Sequence, residues 1–103
     1  MAKQPCVYLM ASKRNGTLYI GVTSDLMKRV WEHKSGAVEG FTKRYSVHKL
    51  AWYEVHESME FAIAREKAIK AWNRKWKLKL IEKTNPEWDD LYAKLFRSSC
   101  FDC

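Results

Sequence analysis

Two short runs rich in β-branched and aromatic residues open the chain. Residues 6–11 (CVYLMA) and 17–22 (TLYIGV) are separated by Ser12-Lys13-Arg14-Asn15-Gly16. An Asn-Gly pair inside so short a spacer predicts a β-hairpin, because both residues accept the positive φ that such turns need. Thr23-Ser24-Asp25 then offers N-cap side chains for a helix running to about Ser35, where Gly36 stops it. Residues 37–46 carry no period and read as a loop. Residues 48–56 predict a third strand, with Leu50, Trp52 and Glu54 alternating against Ala51, Tyr53 and Val55. Ser58, followed by Glu60, caps a helix through Phe61, Ile63, Ile69 and Trp72. A second helical stretch spans Trp76 to Lys83, until Asn85-Pro86 breaks it, and residues 87–96 predict a last short helix. The order β-β-α-β-α-α predicts a small α+β fold, a three-stranded antiparallel-type sheet flanked by helices. One domain is expected over residues 1–96, with residues 97–103 as a tail.

Composition narrows the class. A chain of 103 residues suits one domain, and 47% hydrophobic residues with five Trp, five Tyr and four Phe exclude disorder for most of it. The longest apolar run, Cys6 to Ala11, is far short of the ~20 residues of a membrane span. The first residues form no secretion signal, so a cytoplasmic protein without a membrane is expected. Nineteen Lys and Arg against twelve Asp and Glu give +7. Counted along the chain, residues 1–58 carry +4, residues 59–83 carry +5 and residues 84–103 carry −2. Positive charge this dense fits a polyanion, nucleic acid before an acidic membrane surface. Cys6 reads as a small buried residue. Cys100 and Cys103 form a C-x-x-C pair with no second pair at zinc-finger spacing, so a frayed tail is the reading there.

A few positions resist a purely structural explanation. Glu66 has Ala62, Ile63, Ile69 and Lys70 as its helical neighbours, which puts a carboxylate at the edge of an apolar stripe. The bland alternative is an exposed Glu66–Lys70 pair worth a few tenths of a kcal/mol. Arg29 and His33 stand four apart on the first helix and share a face. A permanent cation beside a group that exchanges protons near neutrality suits phosphate chemistry. Tyr8 and Tyr19 are ordinary strand residues taken singly, for which packing is the first reading. Trp72 and Trp76 follow Ile69 at helical spacing and read as core rather than as a stacking surface.

Together these residues fall into a recognisable arrangement. Cys6-Val7-Tyr8, then Tyr19-Ile20-Gly21 eleven residues on, then Arg29 on the next helix and Glu66 on a later one resemble the GIY-YIG nuclease family. The likeness covers roughly residues 5–93, and GFTKRY, AIAREK and NPEW resemble its small stand-alone bacterial members. Cys6 stands where the first motif has glycine. The resemblance implies metal-dependent hydrolysis of DNA phosphodiester bonds, in repair or processing. Glu66 would be the protein ligand of Mg²⁺ or Mn²⁺. Arg29 would hold the scissile phosphate, Tyr8 or Tyr19 would orient or deprotonate water, and His33 would assist. Lys43 and Tyr45 would contact DNA from the loop, and Lys70, Arg74 and Lys77 would track its backbone. Many members carry a supporting asparagine, for which Asn85 is the candidate and Asn73 the alternative. The DNA partner, branched, single-stranded or duplex, is not fixed by the sequence, and targeting would come from a protein partner or be absent. The competing readings are a catalytically silent nucleic-acid-binding module with the same fold and an adaptor for a protein partner.

Overall fold

The structure is a computed structural model that describes residues 4–36, 40 and 44–95. Lys43, Cys100, Cys103 and the whole 97–103 segment lie outside the described residues. The elements are β1 (Cys6–Ala11), β2 (Leu18–Thr23), α1 (Leu26–Ser35), β3 (Lys49–Val55), α2 (Met59–Ala71) and α3 (Arg74–Thr84). They form the expected α+β architecture, a three-stranded antiparallel sheet in the order β2-β1-β3 flanked by helices. No helix of the described residues is long and apolar enough to cross a membrane.

The hairpin turn falls where its sequence predicts, with positive φ at Asn15 but not at Gly16. Asn15 takes a φ of 58°, and the Gly16 N–H donates to the Lys13 carbonyl at 2.9 Å. A Cβ on Gly16 would stand 2.3 Å from Ser12 Oγ, so only glycine fits. Ser12 Oγ accepts the Thr17 N–H and so closes the turn. Asp25 caps α1 by accepting the Lys28 N–H, and Gly36, at a φ of 77°, ends it. Ser58 caps α2 by accepting the Phe61 N–H.

Central strand β1 is buried along its whole length, because both sheet faces are covered. Val7, Leu9 and Ala11 face α2 and α3 in one cluster with Ala62, Ile69, Ile81 and Trp88. Cys6, Tyr8 and Met10 face α1 in a second cluster with Leu26, Val30, Val47 and Leu50. The third strand departs from simple alternation. Met10 pairs with Leu50 whereas Leu9 pairs with Trp52, so Ala51 is an extra residue in β3. This bulge puts Leu50 and Trp52 on opposite faces rather than on the shared face their spacing implies.

Three helical expectations change. The buried residues of α2 are Ala62 and Ile69, while Phe61 and Ile63 point outward. Helix α3 begins at Arg74, two residues before the expected start, because Asn73 Oδ1 caps it through the Trp76 N–H. The last expected helix begins later, at residue 92 rather than 87, and is helical through 95, the end of the described residues. Ahead of it, Trp88 adopts a φ of 56° so that its ring enters the core, where its Nε1–H donates to Glu82.

Candidate active site

The site begins with the hairpin register. Tyr8 lies opposite Gly21 and Tyr19 opposite Met10, which puts both tyrosines on the α1 face. Their ring centroids are 6.3 Å apart. Gly21 matters for its lack of a side chain, not for its backbone angles. A Cβ there would stand 2.5 Å from Tyr8 Cζ and hydroxyl, so the Tyr8 ring lies directly over the glycine. The third residue of the Tyr-Ile-Gly motif is the floor on which the first motif's tyrosine rests.

Helix α1 supplies the next two groups. His33 is buried, and its Nε2 lies 3.1 Å from the Tyr8 hydroxyl. Its ring centroid is 5.3 Å from that of Tyr19, so the imidazole sits against both phenols. One turn earlier, Arg29 projects from the same helical face with its side chain 43% exposed, and its Nε pairs with Glu32 at 3.4 Å. The Nδ1–H of His48 donates to the His33 carbonyl and ties the end of α1 to the segment before β3.

Burial and charge set the protonation of this cluster. Burial first, then Tyr19, Glu32 and Glu66, push the Tyr8 phenol well above its usual value, with Arg29 opposing them. Burial first, then Arg29 and His48, hold the His33 imidazole below 6.5, with Glu32 opposing. Both groups are therefore neutral at pH 7. In the Nδ1–H tautomer of neutral His33, Nε2 accepts from the Tyr8 hydroxyl, whose lone pairs then serve another donor.

Glu66 approaches from the other side of the sheet. It stands between Ala62 and Ile69, at four- and three-residue spacing, on the face of α2 that packs on the sheet. Its side chain is only 14% exposed, and Lys70 Nζ is 3.7 Å away at 68% exposure. The exposed-pair alternative therefore fits the lysine and not the glutamate. Glu66, Lys70 and Lys77 share a groove of about 500 Å³ with Leu18, Tyr19, Ile20, Gly21 and Val22. Residues of both parities line it, so the groove runs along the free edge of β2. Glu66 lines it together with Tyr19 and Gly21, and its negative charge helps raise the Tyr8 phenol.

The donor set suits a hard cation that keeps its own waters. Among the described residues, no three His, Cys, Asp or Glu side chains gather as a cage. What the groove offers is one partly shielded carboxylate with a long, solvent-facing lysine contact. A single oxygen-donor residue is how Mg²⁺ is commonly held, whereas Ca²⁺ or Zn²⁺ takes several protein ligands.

The remaining expected site residues divide. Lys70 and Lys77 are in the groove, and Lys77 Nζ also donates to the Lys70 carbonyl. Arg74 donates to the Asn15 and Gly16 carbonyls at 2.7 and 2.6 Å, so it clamps α3 to the hairpin turn. Tyr45 is exposed beside the Arg44 guanidinium. Asn85 does not join the cluster. It is buried on the β3 side, where its amide donates to the Ala51 and Asp89 carbonyls and its Oδ1 accepts the Asp89 N–H. With these groups engaged by backbone, its role is to hold the turn after α3 against the sheet. Asn73 is spent as a helix cap. Glu32 was within reach of sequence reasoning, three residues after Arg29 on one helix. The His48 contact was not, since only the fold brings it to α1.

Comparison with known proteins identifies the family. Residues 4–79 match the family model of the GIY-YIG catalytic domain. A UPF0213 protein of Staphylococcus saprophyticus is 35% identical over 75 residues, covering 73% of this chain and 90% of that protein. One from Bacillus pumilus is 31% identical over 87 residues, covering 84% and 89% of the two chains. The solution NMR structure of a UPF0213 protein from Bacillus halodurans shares the fold, with a TM-score of 0.53 at 24% identity, over 84% of this chain and 92% of that one. The chain belongs to the GIY-YIG family, whose catalytic domain indicates endonuclease activity on DNA.

Proposed function

We propose that this protein is a divalent-metal-dependent endonuclease that hydrolyses DNA phosphodiester bonds in repair or processing, in the cytoplasm. The carrying observation is the meeting of two halves at the β2 edge. The Tyr8–His33 hydrogen bond lies on one side, and the Glu66 carboxylate, in a lysine-lined groove, on the other.

In this reading Glu66 holds Mg²⁺ or Mn²⁺. When bound there, such an ion would supply the positive charge that phosphodiester hydrolysis needs. Arg29, partly exposed and paired with Glu32 through Nε alone at 3.4 Å, turns its guanidinium to the scissile phosphate and stabilises the charge that grows there. Water attacks phosphorus as the P–O3′ bond breaks, and the departing 3′ oxygen takes a proton from solvent. The water's proton passes to the Tyr8 oxygen while the Tyr8 proton passes to His33 Nε2, so the phenol relays and does not ionise. This resolves a difficulty, because a phenol raised by burial is a poor base on its own. Tyr19, in the groove and against His33, orients the water. Lys70 and Lys77 position the DNA backbone.

Incubating the protein with branched, single-stranded and duplex DNA, with Mn²⁺ or with chelator, tests the reading. Metal-dependent cleavage of at least one form is expected. Binding without cleavage of any form, in either Mg²⁺ or Mn²⁺, would replace it with the silent binding module.

A further inference from the structure

Trp76, read from its spacing as core, is 54% exposed. Together with Trp72 and Leu80 it forms a surface groove of about 250 Å³, whose wall is completed by Lys79 and Lys83. The two indoles meet edge to face, with centroids 5.9 Å apart. Trp72 is itself held from behind. The Arg65 guanidinium lies 5.3 Å from its ring, and Arg65 is fixed by an ion pair to Glu54 at 3.1 Å. Glu54 in turn accepts from His56 at 2.7 Å. The platform is therefore braced through α2 to β3 before any ligand arrives.

An exposed tryptophan of this size is costly to leave in water, and its surroundings limit what could cover it. The groove is flanked by lysines, in the part of the chain where positive charge is densest. An apolar protein segment or a neutral ligand gains nothing from that charge. A nucleotide uses both features, since its base has an apolar π-face and its phosphates are anionic. The position fits as well. Lys77, the residue after Trp76, lines the Glu66 groove, so the two grooves lie on neighbouring faces of the same helix.

We propose that the Trp72–Trp76 groove is a stacking subsite for a nucleobase outside the duplex stack, with Lys79 and Lys83 on its phosphates. The substrate would then carry unpaired nucleotides next to the cleaved bond. This rests on the nuclease reading for its meaning, though not for its test.

The test is metal-free binding in chelator, comparing oligothymidylate with a blunt duplex of equal length at one salt concentration. Trp76→Ala is expected to weaken oligothymidylate binding between about 5-fold and about 100-fold, the scale of one stacked base, while duplex binding stays within about twofold. Trp76→Phe should restore most of the loss, which a merely structural role would not require. Since the side chain is more than half exposed, the alanine variant should fold, and its melting temperature checks this. An equal loss on both DNAs, or no loss on either, overturns the subsite. So does self-association of the wild type that Trp76→Ala abolishes while leaving both affinities intact, because the groove would then serve a second copy. Cleavage by the wild type combined with no selective loss in Trp76→Ala removes the subsite alone. A selective loss in a protein that never cleaves removes the nuclease reading alone.

Discussion

Replacing Gly21 with alanine perturbs the site by one methyl group whose consequences can be worked out in advance. The new Cβ would lie 2.5 Å from Tyr8 Cζ and Oη and 2.9 Å from Cε1. Carbon atoms in contact prefer about 3.5–4.0 Å, so the phenol must retreat by about 1 Å. It has little room, for the ring is 1% exposed and packed among Cys6, Met10 and Val30. Overpacking of this kind costs about 1–3 kcal/mol, a drop of roughly 4 °C or more in melting temperature for a domain of this size. The same retreat displaces the hydroxyl by about 1 Å from its present 3.1 Å contact with His33 Nε2, enough to spoil that hydrogen bond. Cleavage at saturating DNA should therefore fall by ~10², the scale of a 1 Å misplacement of a reacting group. Thermal melts and single-turnover rates would read both effects. In a Tyr8→Ala background the same substitution should cost little stability, since the clash has gone. A Gly21→Ala protein with wild-type melting and rate would refute the claim that the Tyr8 ring rests on this glycine.

Arg29→Ala should lower the rate at saturating DNA by ~10²–10³ and weaken binding as well, measurable in single-turnover and titration experiments. The pH dependence follows from His33, whose pKa lies below 6.5 in the folded protein. Between its folded and unfolded pKa values the unfolded chain binds more protons, so stability is complete above about pH 6.5 and declines as pH falls below it. Cleavage needs neutral His33, so the acid limb of the rate should lie below pH 6.5 and move upward in Arg29→Ala, which removes a nearby positive charge. Asn85→Ala should cost about 1–3 kcal/mol by leaving buried backbone groups unpaired, yet leave the rate per folded molecule unchanged, as denaturation and rate measurements together would show.

Local chemistry made much of the fold legible. The Asn15-Gly16 turn, the Asp25 and Ser58 caps and the Gly36 stop each depend on neighbouring residues, and each stands where the pattern put it. The bulge at Ala51 was invisible because it depends on how β3 meets β1, and alternation alone carries no such information. Helix α2 misled for a related reason. Phe61 and Ile63 are its conspicuous apolar residues, but small Ala62 faces the sheet, which brings Glu66 onto the packed face too. The order Tyr8, Tyr19, Arg29, Glu66 pointed to the family before any coordinates. The geometry adds why Gly21 accompanies them and how Glu66 reaches them across the sheet edge. Arg74 and Asn85 also serve the fold, since backbone carbonyls that only the fold supplies accept from one Arg74 guanidinium nitrogen and from the Asn85 amide.

The central claim is that Glu66 supplies the charge on which hydrolysis depends, and Glu66→Gln isolates it. The substitution keeps the size and helical preference of the side chain, and the Ala62 and Ile69 contacts of α2 do not involve its charge. Single-turnover cleavage at saturating DNA in Mn²⁺, with binding followed in parallel, is the measurement. The account predicts a rate at least ~10²-fold below wild type with DNA affinity kept or slightly improved, because the interaction lost acts in the transition state. A Glu66→Gln protein that cleaves at the wild-type rate would contradict it.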